Sequence, residues 1–234
     1  MGIFGKSRTT VGASEAERIA RETASSIDGN RIAALVSAIA LLFSAYSLWD
    51  TSLKQPDLRV FVPPVIQYAS PYQNTNFEVV AIPVTITNEG ARTGTVLSIE
   101  LAVTDPRSRE TKLFYAADLG RWTMERTRTG AYQPFAPLSM AGRSSRTETV
   151  LFYTRGEEQK PAQIIREPGP YQFKLRLEEA EIDDFGWLDR VWPSKPAGVG
   201  FERRLLAYDA RAFNTGTLPL YAPDWKSAIS GKTP

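Results

Sequence analysis

Apolar positions along the chain follow two periods, one before Pro56 and one after it. From Ile32 to Trp49 the sequence reads IAALVSAIALLFSAYSLW, 18 residues without charge, Gly or Pro, bounded by Arg31 and Asp50. A helix of that length rises about 27 Å, enough to cross a bilayer's hydrocarbon core of about 30 Å. Tyr46 and Trp49 sit at its C-terminal end, where amphipathic rings favour the headgroup region. The run predicts a transmembrane helix over 32–49 in contact with the lipid bilayer. Buried helices of soluble proteins seldom lack charge for so long, and the 31 residues ahead of the run are long for the n-region of a cleavable signal. An uncleaved signal anchor is the expectation.

Beyond Pro56 the period drops to two. Val80, Ile82, Val84 and Ile86 alternate with their neighbours, Asn88-Glu89-Gly90 supplies turn chemistry, and Leu97, Ile99, Leu101 and Val103 then alternate with polar or small residues. Pro83 cannot donate to a ladder, so the first of these strands is expected at an edge or with a bulge there. Further strands are predicted over 57–62, 112–116, 147–154, 171–178 and 201–209, each rich in β-branched or aromatic residues between Pro, Gly or Asp breaks. Seven short strands without helices to cover a parallel sheet imply a two-sheet antiparallel sandwich. The chain then divides into a cytoplasmic segment (1–31) with a short helix opened by the capping pattern Ser14 to Glu17, the anchor (32–49), a linker (50–56), the sandwich (57–210) and a tail (211–234). The tail shows no strand pattern but carries Leu218, Leu220, Tyr221 and Trp225, so part of it should dock.

Pro168-Gly169-Pro170-Tyr171-Gln172-Phe173 resembles the turn and sixth-strand start of immunoglobulin-like domains, with Tyr171 in the tyrosine-corner place. Ile86-Thr87-Asn88-Glu89-Gly90 resembles a hairpin common in bacterial extracellular immunoglobulin-like modules, and Pro137 to Ser144 resembles a short strand and Gly turn of the same kind. The resemblance spans about residues 57–210. It implies an immunoglobulin-like β-sandwich, a scaffold used for adhesion, assembly or ligand presentation.

Charge sets the expected orientation. Lys6, Arg8, Arg18, Arg21 and Arg31 precede the anchor, whereas only Lys54 and Arg59 follow within about 20 residues. The N-terminus is therefore expected in the cytoplasm of a cell whose inner membrane holds the helix, with the C-terminal domain periplasmic or extracellular. Along the helix Ala33, Ser37, Ala40 and Ser44 form one small-residue stripe at heptad spacing, a candidate helix contact.

Composition narrows the chemistry. The 234 residues include no Cys and no His, which removes thiolate nucleophiles, disulfides and the commonest general base and metal ligand. Neither a phosphate-binding loop nor a dinucleotide fingerprint is present, and 28 basic against 26 acidic residues set up no field for nucleic acid. No catalytic residue, cofactor site or metal site is assigned. Six carboxylates between Glu178 and Asp189 form the one dense acidic stretch, without the spacing of an EF-hand.

What remains is a binding surface. Trp and Arg anchor many interfaces, and Arg121, Trp122, Arg126, Trp187, Trp192 and Trp225 fall in the joins between predicted strands. The expectation is a non-enzymatic membrane protein whose exported domain binds another membrane or envelope protein, as an accessory or assembly subunit. The alternatives are an envelope-carbohydrate module stacking sugars on its Trp rings and, third, a carboxylate-dependent hydrolase built on the 178–189 stretch.

Overall fold

The computed structural model describes residues 31–71, 78–121, 132–154, 161–180, 197–206 and 217–226, and the chain divides into two compact units at Leu53 and Lys54. In the first unit, helix α1 runs over Arg31–Leu53, with no part of its apolar window buried. Its last turn widens to a π-helix over Trp49–Leu53, where Thr51 Oγ1 donates to the Ser47 carbonyl at 2.7 Å. The helix is long and apolar enough to span a membrane. Ala33, Ser37, Ala40 and Ser44 all lie exposed on it.

In the second unit the described residues form eleven strands: β1 (Leu58–Phe61), β2 (Val65–Ala69), β3 (Val79–Asn88), β4 (Gly94–Thr104), β5 (Thr111–Leu119), β6 (Gln133–Pro134), β7 (Leu138–Met140), β8 (Ser145–Thr154), β9 (Gly169–Glu179), β10 (Gly198–Leu205) and β11 (Thr217–Tyr221). Eight of them close a ring, β5-β8-β3-β2-β11-β10-β9-β4 and back to β5, with every neighbouring pair antiparallel. This closed barrel overturns the immunoglobulin-like sandwich. Period-two alternation tells which side chains face inward but is silent on whether two sheets stay separate. Two strands outside the seven predicted, β2 and β11, carry the sheet from β3 to β10, while the β4–β5 hairpin joins it on the other side.

Both breaks in the alternation have causes. On β4 the register with β9 shifts between Val96 and Ser98, and this bulge puts Val96 inside and leaves Leu97 exposed. Pro83 lies in β3 with β8 on one side. On the other side β2 pairs with residues 79–81 and β1 with 85–88, so the missing N–H faces the interval with no ladder.

The interior of an eight-stranded barrel is just wide enough to be filled by side chains or to hold one small ligand, and here side chains fill it. Tyr68, Ile82, Leu101, Phe114, Phe152, Tyr171 and Phe173 fill it, each almost fully buried. Full burial of such side chains contributes roughly 1.5–3 kcal/mol apiece. One mouth is plugged by the segment before β9, whose Ile164 and Ile165 join the core. At the opposite mouth the chain enters, tied by Lys54 O, which accepts from Ala91 N and Arg92 N at 3.1 Å each.

Candidate functional site

Under the plug, the ends of β2, β3 and β5 bring together three buried polar groups. Glu78 Oε2 accepts from Lys112 Nζ at 2.5 Å, and Glu78 Oε1 accepts from the Tyr68 hydroxyl at 2.5 Å and the Ile164 N–H at 3.0 Å. Lys112 Nζ also donates to the Ala162 carbonyl at 3.0 Å. Both ion-pair side chains are wholly buried. Burial raises the Glu78 pKa from 4.5, against the opposing pull of Lys112, Tyr68 and the Ile164 N–H. Burial first, and then the Glu78 charge, also raise that of Tyr68, which keeps its donor proton. With both carboxylate oxygens engaged and no exposure, the cluster ties the plug to the wall and presents nothing to a substrate.

Beside the plug, Tyr171 OH donates to the Glu167 carbonyl at 2.7 Å and accepts from Arg107 Nη2 at 2.7 Å. The tyrosine bonds to its upstream backbone here in a barrel, so this corner does not require a sandwich. Arg107 also engages Asp105 and Glu167. Desolvation works against it, but hydrogen bonds from Arg107 bring the Asp105 pKa below its usual value. Replacing Tyr171 with Phe should cost about 1–2 kcal/mol of stability without changing the fold. A urea midpoint unchanged from wild type would refute a structural role for the hydroxyl.

The third place is open to solvent. A trough of about 730 Å³ runs along β9 and β10, lined on the outer face by Thr104, Gln172, Lys174, Arg176 and Glu202 and floored by Gly198 and Gly200. Phe173 and Leu175 of β9 and Ala197, Val199 and Phe201 complete the lining. Phe201 stacks on Phe173 with centroids 5.2 Å apart, and Arg203 lies over the Phe201 ring at 4.6 Å. Burial lowers the Arg203 pKa, and its Nη2 donates to the Pro63 carbonyl.

Trp122, Arg126, Trp187 and Trp192 lie outside the described residues. The strands flanking their segments, β5 to β6 and β9 to β10, leave and resume at the mouth where the chain enters. Arg121 is exposed at that mouth. Trp225, after β11, is half-buried against Tyr221 at 4.7 Å and carries Lys226 over its ring at 5.8 Å. Of the acidic stretch, Glu178 accepts from Ser98 Oγ and Glu179 from the Ala197 N–H, while 181–189 lie outside the described residues. Among the described residues no group of three or more metal-ligating side chains occurs. The trough was not anticipated: Lys174 and Arg176 are legible as the polar face of β9, but their position opposite two glycines depends on register.

No family model matches the chain, and no curated protein matches it. Among solved structures it is similar to the crystal structure of an ApaA protein from Bordetella pertussis, at 14% identity, covering 73% of this chain and 97% of that one with a TM-score of 0.28. A likeness that loose carries no argument about fold or role.

Proposed function

We propose that the chain is a non-enzymatic, single-pass membrane protein whose exported barrel binds another membrane or envelope protein, as an accessory or assembly subunit. The observation that carries this reading is the packed interior. A barrel filled by Tyr68, Phe114, Phe152 and Phe173 holds no ligand within, which leaves its outer surface and edges to do the binding. A membrane-spanning helix would keep that surface near the bilayer, and the excess of Lys and Arg before it supports a cytoplasmic N-terminus.

Crosslinking in intact membranes followed by native purification should recover a protein partner in fixed stoichiometry. Retention on envelope polysaccharide with no such partner would overturn the reading in favour of carbohydrate. For orientation, alkaline phosphatase fused after Pro234 should be active, and an inactive fusion beside an active cytoplasmic reporter would reverse the topology.

A further inference from the structure

We propose that the trough outside β9 and β10 seats an acidic amphipathic helix of the protein partner, with its carboxylates on Lys174 and Arg176 and its apolar side over Gly198, Gly200 and Phe61. The inference rests on the protein-binding reading above.

The floor sets the shape. Gly198 and Gly200 stand opposite Arg176 and Lys174, so no side chain of β10 fills the space between β9 and the strand beyond. That strand is β1, which lies within 8 Å of β10 with no ladder between the two among the described residues. Arg203 Nη2 donates to the Pro63 carbonyl, which ties β10 to the chain just past Phe61. An extended segment therefore finds no free edge to join. On its other side β10 has β9 at a strand spacing of about 4.8 Å, so the side chains of β9 and β1 stand roughly 10–13 Å apart. A helix with its side chains measures about 10–12 Å across.

The walls set the chemistry. Lys174 and Arg176 both point outward from β9, about 6.6 Å apart at a strand's rise. Carboxylates four residues apart on a helix have a similar spacing, about 6 Å. Neither cation makes an ion pair or hydrogen bond among the described residues. Of the nearby acids, Glu202 is paired with Arg204 at 3.0 Å, and Glu100, opposite Arg176 on β4, lies on the far side of β9 from the glycines. On β1 the outward residues are Arg59, held by Glu89 at 2.9 Å, and Phe61, which is 55% exposed. Two unpaired cations thus face an exposed phenyl ring across a floor of glycines. A helix with acids along one flank and apolar residues beneath covers all three, whereas a free anion would leave the ring and the floor bare.

The test uses the full chain in detergent and three fluorescent peptides: a helix with Glu at every fourth residue beside Leu, its Lys counterpart, and the Glu sequence interrupted by Pro. The Glu helix should bind saturably and the other two should not. The double variant K174E/R176E, altered only at exposed positions, should bind the Glu helix about tenfold more weakly and take up the Lys helix instead. Gly200→Leu should weaken binding by a similar factor, because a Cβ there meets only Phe173 O, at 3.9 Å, and the added side chain fills the trough rather than straining the barrel. Failure of the Glu helix to bind wild type, equal binding of the Pro-interrupted peptide, or undiminished binding to K174E/R176E or Gly200→Leu would overturn the proposal. So would a change in the chain's own oligomeric mass on double substitution, which would seat a second copy in the trough. A stoichiometric partner still crosslinked to K174E/R176E would sink the trough assignment while leaving the protein-binding reading intact; absence of any partner on wild type would sink that reading itself.

Discussion

Substituting Lys112 with Met should destabilise the barrel by about 3–5 kcal/mol, because it leaves the Glu78 carboxylate buried without its counter-charge. The loss should depend on pH in a definite direction. Burial already raises the Glu78 pKa from 4.5, so in the window just above that value the native state holds a proton the unfolded chain has released. Stability therefore falls as pH rises through the window. Removing Lys112 takes away the strongest opposing influence and extends the window upward. The deficit of Lys112→Met should accordingly be small in acid, where Glu78 is protonated, and grow toward neutral pH. The pair Glu78→Gln with Lys112→Met should recover part of it, since no charge then remains to be buried. Guanidinium unfolding of the full chain, followed by Trp fluorescence at several pH values, measures all three. A deficit that stayed constant between acid and neutral pH would show that the carboxylate's ionisation is not the source.

How much of this was legible differs from element to element. On β9 the alternation of Tyr171, Phe173, Leu175 and Leu177 with polar residues is unbroken, and all four face the core. Strand β2 follows Pro63-Pro64, and β11 carries Pro219 at its centre, so both read as loop. Pro219 is tolerated because Ala222 N donates to the Pro64 carbonyl, which puts even-numbered positions toward β2 and turns Pro219 to the side with no ladder. Missing those two strands turned a barrel into a sandwich. The Glu78–Lys112 pair was out of reach for another reason. Its members are 34 residues apart, one just before a strand and one at the second position of another, and nothing local distinguishes them from solvated charges. Lys174 and Arg176 were visible as a polar face, yet what makes that face a candidate site is the two glycines set opposite by the β9–β10 register.

The hairpin residues Asn88 and Gly90 were singled out by resemblance, and the barrel gives them a physical task that supports the second large prediction. Asn88 is fully buried at the mouth where the chain enters. Its Nδ2 donates to the carbonyls of Arg92 at 2.8 Å and of Met140 and Ala141 at 3.2 Å, while its Oδ1 accepts from Gly90 N at 2.9 Å and Asp57 N at 3.2 Å. One side chain thus joins the incoming chain, the β3–β4 turn and the β7–β8 turn. The backbones pack too closely there for anything larger: a Cβ on Gly90 would lie 2.0 Å from Gln55 O, and one on Gly142 1.9 Å from Ala91 O. Asn88→Ala should cost about 3–4 kcal/mol, since several buried backbone groups lose their partner together. Asn88→Asp, though nearly isosteric, should be at least as harmful. One carboxylate oxygen can still accept from Gly90 and Asp57, but the other would face three carbonyl oxygens with no proton between. If Asn88→Asp kept wild-type stability, the Nδ2 donations to the Arg92, Met140 and Ala141 carbonyls would not be what holds this corner together. Gly142→Ala disturbs the same corner, so its cost combined with Asn88→Ala should fall short of the sum of the two. Full additivity would mean that the two turns are held independently and that Asn88 does not couple them.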